Sequence, residues 1–194
     1  MPLLRWLPEG IELHFGTNHI GPFLFTKLLL PLQRNAAQRN TSGATRIVSV
    51  SSAGHRLSPI RFCDYNFAPK EVPPEENRFK SLPRAFAQCT PDGYNGIVTY
   101  AQSKTAYMLF TLYLQRRLPE LCIAPYALHP GSIETDLGRE QDEELAAQFQ
   151  KIAPYWKSSD EGGSATLLAA LDPALSGKCS LRNNVLVSCW ANTF

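Results

Sequence analysis

The sequence predicts an α/β fold built on a doubly wound parallel sheet. Three observations predict it: short apolar, β-branched runs that read as buried strands; helical-period segments between them; and their alternation in the order α-β-α-β-α-α-β. At 194 residues with 44% apolar and 19% charged side chains, the chain is long enough for one sizeable core. It is expected to be a single partial domain spanning 1–194.

Each element follows from local pattern. Residues 11–35 read as a helix, with Leu13, Ile20, Leu24, Leu28 and Leu32 on one face and Phe23, Phe25, Leu29 and Leu30 on a second. A helix apolar on two faces is expected to be buried on both. Residues 36–45 read as a polar loop, and Arg46 to Ser52 as a buried parallel strand. Residues 54–96 hold Pro59, Pro69, Pro73, Pro74, Pro83 and Pro91 with little periodicity, so a long insert is expected there. Its aromatic residues (Phe62, Tyr65, Phe67, Phe79 and Phe86) suit either a lid over an apolar substrate or a surface excursion. Helical pattern returns at 97–118, a strand follows at 121–128, and His129-Pro130-Gly131 stops it. Helices are expected at 138–153 and 159–171, the second with Ser159 as N-cap, and a last short strand at 185–189.

Composition narrows the function. A net charge of +2 gives no electrostatic reason to expect a nucleic-acid partner. The cysteines at 63, 89, 122, 179 and 189 form no C-x-x-C pair, which points to reduced thiols rather than disulfides or zinc. The histidines at 14, 19, 55 and 129 lack metal-ligand spacing, so they read as structural or solvent-facing and no metal is expected. The N-terminus lacks a secretory apolar core, and no run approaches the roughly 20 residues of a membrane helix. A cytoplasmic location is the expectation.

The chemistry-bearing residues form four groups. Tyr100 and Lys104 lie four apart on a helix and share a face. A nearby ammonium would lower the phenol pKa from about 10 and make a usable acid/base; the same spacing also describes an ordinary helical pair. Ser51-Ser52 ends a buried strand, where a hydroxyl could hold a substrate oxygen or simply make a turn. Pro130-Gly131 also follows a strand, as a turn or as backbone facing a ligand, with Ile133 and Thr135 behind it. Asn18 sits in an apolar helix and needs a partner from backbone or water.

Taken together and in order, these segments resemble the short-chain dehydrogenase/reductase family, in its retinol-dehydrogenase-like branch. Phe15 to Pro31 is similar to the family's asparagine-bearing helix, Arg46 to Ser52 to its serine strand, Tyr100-Ala-Gln-Ser-Lys104 to its Tyr-x-x-x-Lys motif, and His129 to Thr135 to its Pro-Gly segment. The resemblance runs over roughly residues 9–178. It implies a Rossmann-like fold and hydride transfer between NAD or NADP and an alcohol or carbonyl substrate, expected to be apolar. By resemblance, the catalytic set is Asn18, Ser52, Tyr100 and Lys104. Tyr100 would exchange the proton, Lys104 would tune it and hold the nicotinamide ribose, Ser52 would orient the substrate oxygen, and Asn18 would anchor a relay water. Tyr100, Lys104, Pro130, Gly131, Ile133 and Thr135 would contact the cofactor.

One family part is missing. None of the twelve glycines forms the Gly-rich turn that holds a dinucleotide pyrophosphate. The resemblance therefore implies a chain truncated at the N-terminus, without the segment that sets NAD against NADP preference. The strands of that segment would pair beside Arg46 to Ser52, so their absence is expected to leave a strand edge open and one face of helix 11–35 uncovered. No measurable dehydrogenase activity is expected from the chain alone. The other reading is a non-catalytic interaction protein that forms a homo- or heterodimer with a full-length relative through helices 11–35 and 97–118.

Overall fold

A computed structural model describes residues 5–68, 70–77, 82–133, 135, 143–152, 155–175 and 187–188. The expectations for Phe79, for 138–142, for Cys179 and Cys189, and for most of the last strand lie outside these residues.

Two strands organise the molecule. β1 (Thr45–Val50) pairs in parallel with β2 (Ile123–His129), placing Ile47 opposite Pro125 and Val50 opposite Leu128. The two-residue β3 (Val187–Ser188) adds in parallel beyond β2, giving the order β1-β2-β3. β1 is thus the sheet edge among the described residues.

Side-chain alternation along the strands sorts the core onto two faces. Ile47 and Ile123 pack with Ala37, Phe110, Leu114 and Leu118 on one side. Ala124, Tyr126 and Leu128 pack with Ala165, Ala169 and Leu175 on the other. The first face is covered by α2 (Gly21–Arg39) and α3 (Gly96–Arg117), the second by α5 (Ser159–Leu171). β2 is buried along nearly its whole length, as its unbroken apolar run requires. The expected α/β arrangement with a parallel sheet covered on both faces is present. Arg46 reaches from β1 to the carbonyls of Ala169 (3.0 Å) and Asp172 (2.7 Å), setting a cation on the C-terminal end of α5.

Several boundaries differ from expectation. The first helical rod begins with one turn, α1 (Leu13–Phe15), continues through a π-helical turn at Gly16–Ile20, and runs on in α2 to Arg39. The start of the expected 36–45 loop is therefore helix, because Ala36 to Arg39 are good helix formers and Ala37 docks into the core. Pro31 is tolerated inside α2 on its exposed side. Ser158, not Ser159, caps α5: its hydroxyl accepts from the Glu161 N–H while the Glu161 carboxylate accepts from the Ser158 N–H, a reciprocal capping box. The expectation that the first rod is buried on two faces fails. Phe25, Leu28 and Leu32 are 64%, 67% and 65% exposed, because nothing described covers that side.

The insert is folded. It carries short 3₁₀ turns at Ala53–Leu57, Pro74–Glu76 and Arg84–Phe86. Phe86 is buried and meets Phe149 of α4 (Glu143–Ile152) at 5.1 Å between ring centroids. Arg61 and Asp64 form a buried 2.7 Å ion pair, and the Arg61 guanidinium stacks on buried Phe67. Phe62, by contrast, is exposed. Cys63, Cys89 and Cys122 are free thiols, and no described helix is long and apolar enough to cross a membrane.

Candidate active site

The C-terminal end of β1 meets the first turns of α3, and Ser52, Tyr100 and Lys104 gather there. Ser51 and Ser52 divide their work. Ser51 is buried; its N–H donates to Leu128 O at 2.8 Å and its hydroxyl to Lys104 O at 3.1 Å, so it ties β1 to α3. Ser52 stays half-buried, accepts from Gly54 N–H at 3.1 Å, and its hydroxyl lies close enough to the Tyr100 phenol to lower that group's pKa. A Cβ at Gly54 would stand 3.3 Å from both Ser52 Oγ and Tyr100 Cε1, so the backbone there closes against the pair.

Tyr100 and Lys104 face the same way, as four-residue spacing requires: the Lys104 ammonium lies 5.5 Å from the Tyr100 ring centroid. Its Nζ donates to Val50 O at 3.1 Å, which anchors it to the end of β1. The expected lowering of the phenol pKa is not what this geometry produces. Burial pushes Tyr100 up, the Ser52 hydroxyl pulls it back only in part, and burial pulls Lys104 down. Desolvation by burial is the largest cause at both groups.

Asn18 lies in the π-helical turn, a rare geometry that re-aims side chains. Its Nδ2 donates to the Ser103 hydroxyl at 3.0 Å, and that hydroxyl donates to Tyr100 O at 2.7 Å. Asn18 is thereby linked to the turn of α3 that carries Tyr100.

The Pro-Gly segment lies at the end of β2. Gly131 has φ +103°, and a Cβ there would meet Lys157 Cδ at 2.8 Å. Ile133 bridges to Lys157, and its side chain fills the space where Gly162 of α5 lacks a Cβ. Pro130, Gly131 and Ile133 are half-buried; Thr135 is exposed. Burial and the nearby positive charges of Lys157, Arg56 and His55 hold His129 below its usual pKa, and its Nδ1 is buried without a hydrogen-bond partner.

Three features went unread in the sequence. Gln102, between Tyr100 and Lys104, is fully buried and clamps the insert: Oε1 accepts from Arg61 N–H at 2.9 Å and Nε2 donates to Tyr65 O at 2.8 Å. His14 meets the Tyr100 ring edge-on, at 5.9 Å between centroids, rather than serving only as structure or facing solvent. Fully buried Glu12 holds His14. The spacing Glu12-Leu13-His14 was the available signal.

No family model matches the chain. It is 33% identical over 174 residues to retinol dehydrogenase 12 of Mus musculus, covering 88% of this chain and 45% of that protein. It is 32% identical over 172 residues to retinol dehydrogenase 14 of Mus musculus (87% and 43%) and 36% identical over 136 residues to retinol dehydrogenase 13 of Homo sapiens (70% and 33%). The chain thus spans less than half the length of these curated relatives. Among solved structures, an NADPH-bound carbonyl reductase from chicken fatty liver aligns over 90% of this chain and 57% of that one, at 20% identity and a TM-score of 0.48.

Proposed function

This chain is a homologue of the retinol dehydrogenases of the short-chain dehydrogenase/reductase family, and from that premise we propose that it carries the acid/base portion of an NAD(P)-dependent oxidoreductase acting on an apolar alcohol or carbonyl. The observation that carries this reading is the convergence of Ser52, Tyr100 and Lys104 at one end of the sheet, with Ser52 and Tyr100 both closing on Gly54.

Tyr100 delivers a proton to a carbonyl oxygen in reduction, or accepts one from an alcohol in oxidation. Burial keeps the phenol protonated at neutral pH, which suits the donor role. Ser52 fixes the substrate oxygen beside it. Lys104 places a cation next to the phenol, and Asn18 holds the helix turn that carries Tyr100 through Ser103.

Tyr100, Lys104, Pro130, Gly131, Ile133 and Thr135 would hold the nicotinamide end of the cofactor. The unpartnered Nδ1 of His129 and the positive-φ turn at Gly131 leave polar backbone and side-chain groups beside that position. The chain has no Gly-rich turn for the pyrophosphate, so the fit stops there. When bound, the nicotinamide supplies the hydride chemistry.

The test is a chimera that joins the N-terminal portion of a full-length relative to this chain. Reduction of an apolar aldehyde with NADH or NADPH, lost on Tyr100→Phe, is the expected result; a folded chimera that binds cofactor and never turns over would overturn it. The 194-residue chain alone is expected to transfer no hydride. A second reading rests on exposed Leu24, Phe25, Leu28 and Leu32 of α2 together with Leu109, Leu112 and Tyr113 of α3. There the chain pairs with a full-length relative without catalysing anything. Capture of that relative, with no nicotinamide quenching of Trp6, Trp156 or Trp190 fluorescence, would favour it.

A further inference from the structure

A densely bonded polar cluster lies outside the four expected motifs. Glu12 is fully buried, and a buried carboxylate is costly unless its oxygens are bonded. Here both are. Oε1 accepts from the Tyr94 hydroxyl at 2.8 Å and from His14 Nδ1 at 3.1 Å, and Oε2 accepts from Phe15 N–H at 2.8 Å. Burial works to raise the Glu12 pKa, but the bonds from His14 and from the Phe15 and His14 N–H groups outweigh it, and the group stays ionised. Even the Glu12 N–H is used, donating to Asn66 Oδ1 at 3.0 Å. Arg5 stacks on Tyr94 from outside and pairs with Asp92, so the neighbouring cation is already engaged.

The cluster ends at α3. His14 Nδ1 also lies 3.0 Å from Thr99 Oγ1, and Thr99 donates to the Tyr94 hydroxyl at 3.1 Å. Thr99 immediately precedes Tyr100, and the His14 ring meets the Tyr100 ring at an interplanar angle of 85°. A carboxylate accepting at Nδ1 fixes the imidazole's tautomer and plane. The plane of His14 is then set by Glu12 rather than by its own rotamer freedom.

We propose that Glu12 and His14 are positioning residues for Tyr100: the buried carboxylate locks the imidazole, and the imidazole edge holds the phenol ring in its orientation toward Ser52. This deepens the reading of Tyr100 as the acid/base and rests on it. Lys104 lies against the Tyr100 ring from the same helix, and His14 meets that ring from the first helical turn. An off-line phenol loses the alignment that proton transfer needs.

The test is a double-mutant cycle read on the ring-flip rate of Tyr100 by ¹³C relaxation of ring-labelled tyrosine in the full chain, with Tyr100→Phe as the assignment control. Glu12→Gln is expected to speed the flip about fivefold, and the effect to vanish in a His14→Phe background, because coupled neighbours are non-additive on that scale. Tyr107 and Tyr126 should flip at unchanged rates. An unchanged Tyr100 rate in Glu12→Gln, or an equal change in both backgrounds, would overturn the proposal. Should Glu12→Gln fail to fold, Tyr94→Phe removes the 2.8 Å donor while keeping the carboxylate, and runs through the same cycle with the same two outcomes. The measurement needs neither cofactor nor turnover. Absence of hydride transfer in the chimera would therefore strike the oxidoreductase reading, whereas an unchanged flip rate would strike the positioning role alone.

Discussion

The side-chain amide of Gln102 donates to the carbonyl of Tyr65 at 2.8 Å, and in doing so fastens the proline-rich insert to the helix that carries Tyr100 and Lys104. With its oxygen accepting from Arg61 N–H, one buried residue satisfies two backbone groups of that insert. Replacing it with Leu strands both. Gln102→Leu is expected to lower stability by about 2–4 kcal/mol. Chemical denaturation measures that loss, and hydrogen exchange should show the Arg61 amide opening far sooner than the amides of α3.

Adjacent glycines in α5 should respond with opposite sign. A Cβ at Gly162 collides with Ile133 and stands 2.8 Å from its Cγ1, whereas one at Gly163 meets nothing within 4 Å. Gly162→Ala is expected to cost about 1–3 kcal/mol and to displace Ile133 from the Pro-Gly segment. Gly163→Ala, at an open helical position, should gain about 0.5–1 kcal/mol. Paired urea melts settle both, and a stabilising Gly162→Ala would contradict the packing described.

Mild acid should weaken the fold through two histidines. Burial lowers the pKa of His19, and burial together with nearby cations lowers that of His129, each from 6.5. Their folded values lie below their unfolded ones, so the unfolded chain takes up protons first. The stability they contribute is complete above about pH 6.5 and is lost as pH falls from there through the folded values. The urea midpoint is expected to drop between about pH 7 and pH 5, and the drop to shrink in His129→Gln.

The bare face of α2 should drive self-association. Leu24 and Leu28 are 52% and 67% exposed and stand one helical turn apart. Leu24→Lys with Leu28→Lys is expected to shift sedimentation toward monomer while changing stability by less than about 0.5 kcal/mol per site. Unaltered association would place the contact elsewhere.

Much of this architecture is legible in the residues. The apolar runs at Ile47 and Ile123 mark β1 and β2, and the four-residue step from Tyr100 to Lys104 places both on one face of α3. The end of a buried strand brings Ser52 to them. What the letters do not carry is partner choice across distance. Asn18 finds Ser103, and His14 finds Thr99 and Tyr100, through folding that no local period encodes. The direction of the Tyr100 shift was equally hidden: spacing reports a neighbouring cation, while desolvation depends on the whole envelope around the phenol. The exposed side of α2 looks in sequence like any core-facing stripe, since apolar letters do not say what covers them.

The bonds from Asn18 to Ser103 and from His14 to Thr99 each join residues 85 apart in the chain. Such contacts reward the polymer only after a long loop has closed, at an entropic cost that shorter contacts avoid. The pairing of β1 with β2 closes a loop of nearly the same length, so the phenol's surroundings and the sheet beneath them carry similar closure costs.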